Sequence, residues 1–263
     1  MKVVLQNLTK IFPSRDKKSG KEVVAVNDFT FEIPDGKLIG LLGPSGCGKS
    51  TTLNLLCGLL KPSSGKIFFG EDDVTDLPAE NRGVGLVFQN YALFENMTVL
   101  QNVEYALKIR KENKSAEAKK AVRERALQML ANLGLSEHAN KMPTMLSGGQ
   151  QQRVAIARTM VLNPDIILFD APMSALDVDT RLSLRAELKR IQKEFGTTMI
   201  YITHDQEEAF AMSDRIMIMR EANVVQLDTP DNIVDHPADD YVKNFVLRNL
   251  QIKIDSLLKC VRG

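Results

Sequence analysis

A glycine-rich segment, Gly43 to Thr51, carries the residue types that bind phosphate groups. It lies between an apolar run, Leu38 to Leu42, and a helix-like segment, Thr52 to Leu60, and its spacing matches G-x-x-x-x-G-K-[S/T]. Glycines let backbone N–H groups turn inward around a polyphosphate, and the following helix presents its positive dipole end to the same anion. The segment therefore predicts a nucleotide site made of Gly43, Pro44, Ser45, Gly46, Cys47, Gly48, Lys49, Ser50 and Thr51.

Two side chains of this loop have separate expected roles. Lys49 is expected to reach the β- and γ-phosphates of ATP, and Ser50 to ligate Mg²⁺. The alternative is a loop that only joins a strand to a helix. The Lys-Ser pair and both flanking segments argue against that alternative.

The composition is that of an ordinary soluble globular protein. The 263 residues suffice for one large domain or two modest ones, and 34 Lys and Arg against 33 Asp and Glu leave a net charge of +1, so no global field favours nucleic acid. No apolar run approaches the roughly 20 residues of a membrane span. The N-terminus lacks a signal-peptide pattern, and three cysteines without C-x-x-C spacing predict neither a disulfide framework nor a zinc site. A cytoplasmic location is expected.

Hydrophobic periodicity indicates two N-terminal strands and, from the phosphate loop onward, short buried strands that alternate with helices. An N-terminal pair of strands is predicted around an exposed loop, Pro13 to Glu22, and short apolar runs predict buried strands later in the chain. These predicted strands are Val3 to Thr9, Val23 to Ile33, Val84 to Phe88, Asp165 to Phe169, Thr198 to Thr203 and Ile216 to Met219. Helical spacing of Leu184, Leu188, Ile191 and Phe195 predicts an amphipathic helix, and Met97 to Met145 reads as a helical insertion without strands, with one helix stopped by Gly134.

A second motif lies downstream of the phosphate loop. Leu146-Ser147-Gly148-Gly149-Gln150 precedes a helical run, and an apolar strand then ends in Asp170. A carboxylate at the end of a buried strand can hold the water shell of Mg²⁺, although the same residue could simply cap a helix. Ser147, Gly148 and Gly149 predict a second anion-binding helix start.

This order of motifs resembles the ATP-binding cassette (ABC) ATPases, and the resemblance covers nearly the whole chain. LSGGQ is the signature of that family, and the apolar run that ends in Asp170 is similar to its Walker B strand. The resemblance implies that the signature, including Gln150, faces the γ-phosphate of a nucleotide held by a partner subunit. It also implies roles for four further residues: the Q-loop and metal-binding Gln89, the D-loop Asp177 after Ser174-Ala175-Leu176, the switch histidine His204, and Phe12 stacked on adenine. The alternative interpretation of His204 and Phe12 is that they are ordinary core residues.

The resemblance implies an α/β fold with a P-loop NTPase core. We expect a mostly parallel sheet, an N-terminal antiparallel β-subdomain and an inserted helical subdomain. The expected division is 1–96 with 154–235 for the nucleotide-binding core and its β-subdomain, 97–153 for the helical signature subdomain, and 236–263 for a C-terminal helical tail.

The chain departs from the family at position 171. Where the family has a glutamate that polarises the attacking water, Ala171 follows Asp170. General-base catalysis is worth about 10²–10⁴-fold, so slow hydrolysis with intact nucleotide binding is expected. Three accounts remain open: an engineered substitution, a naturally degenerate subunit beside an active partner, or a base relocated to His204 or Asp177.

The helical insertion and the segment Gln89 to Phe94 look like those of importer-type cassettes. Such a resemblance implies a second ABC ATPase subunit, two membrane-spanning permease subunits and a substrate-binding protein as partners, at the cytoplasmic face of the membrane. The rivals are a cassette ATPase of a two-component exporter and a non-transport cassette ATPase acting on DNA or ribosomes. A phosphate-loop kinase would lack the signature motif. The sequence does not name the transported substrate.

Overall fold

The computed structural model of the protein describes residues 1–13, 22–109, 115–172 and 177–262. The predicted loop after Pro13 and the D-loop residues Ser174, Ala175 and Leu176 lie outside or largely outside these ranges. The described strands, in chain order, are β1 (Val3–Phe12), β2 (Val23–Ile33), β3 (Leu38–Leu42), β4 (Ser64–Phe69), β5 (Asp72–Asp73), β6 (Val84–Val87), β7 (Ile166–Asp170), β8 (Thr198–Thr203), β9 (Arg215–Arg220) and β10 (Asn223–Asp228).

The described α-helices are α1 (Lys49–Leu56), α2 (Val99–Ile109), α3 (Ala116–Asn132), α4 (Gly148–Met160), α5 (Val178–Phe195), α6 (Gln206–Met212), α7 (Pro230–Asp235), α8 (Asp240–Val242) and α9 (Asn249–Arg262). Short 3₁₀ turns span Ala79–Asn81, Ser136–His138 and Pro143–Met145, and a π-helical stretch spans Lys243–Arg248. Each strand predicted from the sequence is present, whereas the sequence reasoning did not identify β4, β5 and β10. Their runs are short, and β5 consists of two aspartates, so they carry a weak apolar signal.

The chain forms two compact units, Met1–Arg82 with Gln192–Gly263, and Gly83–Ile191. In the first unit, β2, β1, β4 and β5 form an antiparallel sheet in that order. Phe29 and Ile33 of β2 are buried and Phe31 is half-buried, so these alternate residues face inward as predicted. Asn7 and Asp28 have positive φ where the pairing of β1 with β2 shifts register, as expected of a bulge.

The same unit contains a second set of strands in the order β10, β9, β3, β8. β3 pairs in parallel with β8 and β9, and β10 is antiparallel to β9. All five residues of β3 are buried, which explains why its sequence is continuously apolar rather than alternating. This strand delivers the chain directly into the phosphate loop.

The second unit pairs β6 and β7 in parallel and packs α2, α3 and α4 around buried apolar side chains. The described parts of the predicted helical insertion contain helices and 3₁₀ turns and no strand, as expected. Gly134 has φ of 66° just beyond α3, as a helix-stopping glycine should. In α5, Leu184, Leu188 and Ile191 are buried, but Phe195 is 39% exposed. The prediction was wrong there because Phe195 is the last residue of the helix.

Candidate functional site

The phosphate loop has the backbone geometry that its sequence predicts. It connects the buried strand β3 to α1, and Gly48 lies at the helix start with φ of 106°. A Cβ atom at Gly48 would lie 2.2 Å from the carbonyl oxygen of Ala25, and one at Gly43 would lie 2.6 Å from that of Met219. Glycine is therefore required at both positions, because a neighbouring backbone carbonyl leaves no room for a Cβ atom.

Lys49 crosses this loop from the first position of α1. Its Nζ donates to the carbonyl oxygens of Gly43 at 2.7 Å and Pro44 at 2.8 Å. The first intrahelical bond of α1 runs from the Thr52 N–H to the Gly48 oxygen at 2.8 Å. The N–H groups of Lys49, Ser50 and Thr51 come before it and have no partner within the helix. An anion at this helix start would meet three backbone donors and an ammonium group.

The remaining loop residues differ in exposure. Pro44, Ser45 and Gly46 are exposed, and Ser50 is also exposed on the first turn of α1. Cys47 is buried and its N–H donates to the Pro44 oxygen at 3.4 Å, which closes a turn. The buried thiol serves the packing of the loop.

His204 occupies a single-residue turn in the first unit, between the end of β8 and the N-cap of α6. It is exposed, whereas Thr203 before it is buried. Asp205 caps α6 by accepting the Glu207 N–H at 2.9 Å. The His204 imidazole therefore lies at the end of a strand, between the buried Thr203 and the helix-capping Asp205. Phe12, also in this unit, is the half-buried last residue of β1, with the Lys10 ammonium 5.1 Å from its ring centroid.

Two predicted metal-binding residues meet within the second unit. Gln89 and Asp170 line one open recess of about 480 Å³ with Phe88 and Asn90. The recess offers carboxylate and amide oxygens, the donor chemistry that Mg²⁺ prefers. Within the described ranges no three Asp, Glu, His or Cys side chains cluster as a metal cage. A cation here would therefore complete its shell with water or nucleotide oxygens.

Ala171 directly follows Asp170 and has φ of 43°. This left-handed conformation is uncommon for a residue with a side chain, and it turns the chain sharply after the buried strand β7. The methyl group of Ala171 carries no proton acceptor. Any general base would have to come from elsewhere.

The signature segment, Ser147 to Gln150, begins α4. Ser147 is its exposed N-cap, and its side chain and that of Gln150 form a reciprocal capping box. A Cβ atom at the buried Gly149 would lie 2.5 Å from the Thr180 methyl group, so glycine is required there. Gly148 is exposed beside Ser147. The helix start that the sequence predicts is therefore formed.

Asp177 caps the neighbouring helix α5. Its carboxylate accepts the N–H of Thr180 at 2.9 Å and the Thr180 hydroxyl at 2.8 Å. Both hydrogen bonds lower the pKa of Asp177, and the bond from the Thr180 backbone N–H has the larger effect. The carboxylate is engaged in helix capping at neutral pH.

The comparisons with known proteins agree with this geometry. A family model described as "ABC transporter" matches residues 26–174, which include the phosphate loop, the signature and Asp170. The chain belongs to the ABC transporter family.

Curated members of this family resemble the chain closely. It is 46% identical over 88% of its length to an Fe(3+) ions import ATP-binding protein FbpC of Rhizobium etli, and 45% identical over 92% to a spermidine/putrescine import ATP-binding protein PotA of Marinobacter nauticus. A sulfate/thiosulfate import ATP-binding protein CysA 1 of Rhizobium meliloti is 45% identical over 84% of the chain. The matches cover 64%, 61% and 64% of these relatives, so the chain spans less than two thirds of their length.

Solved structures of ABC proteins share the fold. A dimeric post-hydrolysis structure of the ATP-binding cassette MJ0796 bound to ADP and Pi has a TM-score of 0.74 at 35% identity, covering 87% of this chain and 98% of that one. The cbiO1 protein of Clostridium perfringens, part of the cbiONQ transporter complex, has a TM-score of 0.77 at 27% identity, covering 96% and 98%. Among the described residues of this ABC chain, no helix is both long and apolar enough to cross a membrane.

The sequence reasoning missed Arg158, which joins α4 to the segment after Gln89. It lies on α4 behind the signature, and its guanidinium donates to the carbonyl oxygens of Ala92 at 2.6 Å and Tyr91 at 3.0 Å. These two residues follow the Q-loop and both have positive φ. Burial lowers the pKa of Arg158. An arginine within an otherwise apolar helical run was the signal that could have found it.

A second missed group lies next to His204 along the chain. The buried Glu208 accepts hydrogen bonds from the hydroxyls of Tyr201 and Thr203. Its position on the first turn of α6 carried no sequence signal, because acidic residues are common on exposed first turns. Only burial distinguishes it from Glu207, which is exposed.

Proposed function

We propose that the chain is the ATP-binding subunit of an ABC importer and that it binds nucleotide well but hydrolyses it slowly. The observation that carries this proposal is the phosphate loop, with its three helix-start N–H groups and Lys49, in a chain that also has a capped signature helix. Import is supported by the relatives, whose names specify uptake of iron, polyamines and sulfate.

Nucleotide binding begins with the phosphate loop. Lys49 exchanges its bonds to the loop carbonyls for the β- and γ-phosphates, and the N–H groups at the start of α1 hold the same polyphosphate. Ser50, Asp170 and Gln89 would hold Mg²⁺, which neutralises phosphate charge when bound. Phe12 stacks on the adenine ring, and His204 contacts the γ-phosphate.

Two cassettes then share two nucleotides. Ser147 and Gly149 at the start of α4 face the nucleotide of the partner cassette, together with Asp177, which bonds the Thr180 that packs against Gly149. ATP favours the closed dimer because it contacts both cassettes only in that state, which is a population shift. Closure drives the permease subunits, and a binding protein supplies the cargo. The chain works peripherally at the cytoplasmic face of the membrane, without nucleic acid.

Slow hydrolysis follows from Ala171. In the position after Asp170 a methyl group replaces the glutamate of the family, so no carboxylate there orients the attacking water. The expected rate is lower by about 10²–10⁴-fold than that of a glutamate-bearing cassette. The ATP-bound dimer should therefore accumulate.

The test restores the carboxylate. Ala171→Glu should raise the ATPase rate of the assembled transporter at least tenfold, whereas Ala171→Gln, with the same size and no base, should leave it low. Both variants and the parent should bind a fluorescent ATP analogue equally. An unchanged rate in Ala171→Glu refutes the proposed deficiency. Failure of the parent to bind ATP, or co-purification with ribosomes or DNA in place of multi-spanning membrane proteins, refutes the transport function.

A further inference from the structure

The N-terminus of α4 fixes the orientation of one side-chain amide. The Ser147 hydroxyl oxygen accepts the Gln150 N–H at 3.4 Å, and Gln150 Oε1 accepts the Ser147 N–H at 3.0 Å. A backbone N–H can only donate, so the Gln150 atom that faces it is the oxygen. The NH₂ group of Gln150 consequently points away from the helix start.

That NH₂ group meets His138. Gln150 Nε2 lies 2.9 Å from His138 Nε2. Because the amide nitrogen is a donor, the ring nitrogen must be the acceptor, and the neutral ring then carries its proton on Nδ1. His138 Nδ1 is buried and meets no hydrogen-bond partner among the described residues. The backbone of Ser147 thus determines the tautomer of a histidine nine residues earlier.

The segment that carries His138 is anchored on its other side. The N–H of Leu100 donates to Ala139 O and that of Val99 to Lys141 O, both at 2.9 Å. These bonds attach residues 139–141 to the start of α2. His138 therefore offers Gln150 a fixed acceptor rather than a mobile one.

We propose that His138, as the neutral Nδ1–H tautomer, is a positioning residue for Ser147. His138 holds the Gln150 amide, and Gln150 holds the Ser147 N–H. The Ser147 oxygen accepts the Gln150 N–H, which leaves its hydroxyl proton to donate to a phosphate of the nucleotide bound by the partner cassette. The inference deepens the proposed function, because the partner's nucleotide is the ligand of Ser147 only if two cassettes share their sites.

The tautomer can be measured directly. The chain has three histidines, so long-range ¹H–¹⁵N spectra at alkaline pH resolve them, and His138→Leu assigns the resonance of interest. We expect the Nδ1–H pattern for His138. An Nε2–H pattern would overturn the proposal, since that ring could not accept from Gln150.

Exchange of the Ser147 amide proton tests the positioning. In His138→Leu the Ser147 N–H should exchange about fivefold faster, because loss of a helix cap is typically worth about 1 kcal/mol. His138→Gln, whose side-chain oxygen can accept from Gln150, should restore most of the protection. His236→Leu is the matched control, since His236 is exposed. Unchanged exchange in His138→Leu, or equal acceleration along all of α4, contradicts a specific role.

The strength of ATP-dependent dimerisation tests the functional consequence of losing His138. His138→Leu should weaken ATP-dependent dimerisation about 25-fold, because the dimer has two signature sites and each loses about fivefold, with Mg²⁺-ATP affinity of the single chain unchanged. Faster Ser147 exchange with an unaltered dimer would overturn the role of His138 in positioning Ser147 for the partner. If the unmodified chain forms no ATP-dependent dimer, the proposed function fails instead, and the tautomer and exchange results alone decide whether His138 positions Ser147.

Discussion

The Tyr201 hydroxyl donates a short hydrogen bond to Oε2 of Glu208, and this contact joins β8 to the first turn of α6. The Thr203 hydroxyl donates to the same oxygen at 2.8 Å, and its own oxygen accepts the Asp205 N–H at 3.0 Å. One buried carboxylate therefore restrains the residues on both sides of the switch histidine.

Removing the phenol hydroxyl should destabilise the first unit. Tyr201→Phe takes one donor from a buried carboxylate, and an incompletely paired buried group costs about 1–3 kcal/mol of unfolding free energy. Urea unfolding at neutral pH measures this difference. Glu32→Gln, at an exposed position of β2 in the same unit, should change the value by less than about 0.5 kcal/mol. A loss in Tyr201→Phe no greater than in this control would contradict the assigned network.

Two glycines of the phosphate loop should respond differently to alanine. Gly48→Ala places a methyl group against the Ala25 carbonyl at a positive φ, so the loop must deform. Gly46 also has a positive φ of 80°, but within the described residues, its chain neighbours aside, no atom lies within 4 Å of the position that a Cβ would take there. Alanine at Gly46 therefore costs about 1 kcal/mol of backbone strain. Titration with a fluorescent ATP analogue should show binding lost in Gly48→Ala and retained in Gly46→Ala. Equal affinities would contradict the close approach.

Arg158 should not be replaceable by lysine. The guanidinium bonds two adjacent carbonyl oxygens, those of Tyr91 and Ala92, and an ammonium group cannot reproduce that planar fork. We expect Arg158→Lys to lower the unfolding free energy by about 1–2 kcal/mol and to speed amide exchange just after the Q-loop. The control is Arg123→Lys, because Arg123 is 60% exposed and 3.8 Å from Glu104. Unchanged slow exchange after the Q-loop in Arg158→Lys would refute the role of the guanidinium fork.

Asp177 should contribute an acid-sensitive part of the stability. Its pKa is lower in the folded chain than the ordinary 3.8, first because the Thr180 N–H and then because the Thr180 hydroxyl bond the carboxylate. A depressed aspartate pKa gives stability that is present above the unfolded pKa and is lost as pH falls from about 4 through the folded value. Thermal unfolding of the parent and Asp177→Asn should therefore converge as the pH is lowered. Parallel melting temperatures across this range would contradict the contribution of the ionised Asp177 carboxylate.

Local sequence rules suffice for the motifs and for most of the elements. The phosphate loop, β3, the helical insertion and the signature start follow from them, because glycine conformation, helix capping and apolar periodicity act over a few residues. The residue order also shows that Ala171, which has no carboxylate, follows Asp170. That this position departs from the family stays a prediction. The division into 1–96 with 154–235, 97–153 and 236–263 stays a prediction, as do the ligand roles of the site residues.

Tertiary packing, in contrast, establishes which polar side chains are buried and what they hold. Glu208 and Glu207 are neighbours with the same chemistry, yet Glu208 is buried and bonds Tyr201 and Thr203, whereas Glu207 is exposed. Arg158 and His138 likewise acquire partners many residues away, at Tyr91 and Gln150. Tertiary contacts also explain why the sequence did not predict β4 and β10. Their intrinsic strand signals are weak, and pairing with β1 and β9 stabilises them. A hydrogen bond between distant residues depends on how elements pack, and no local pattern encodes that packing.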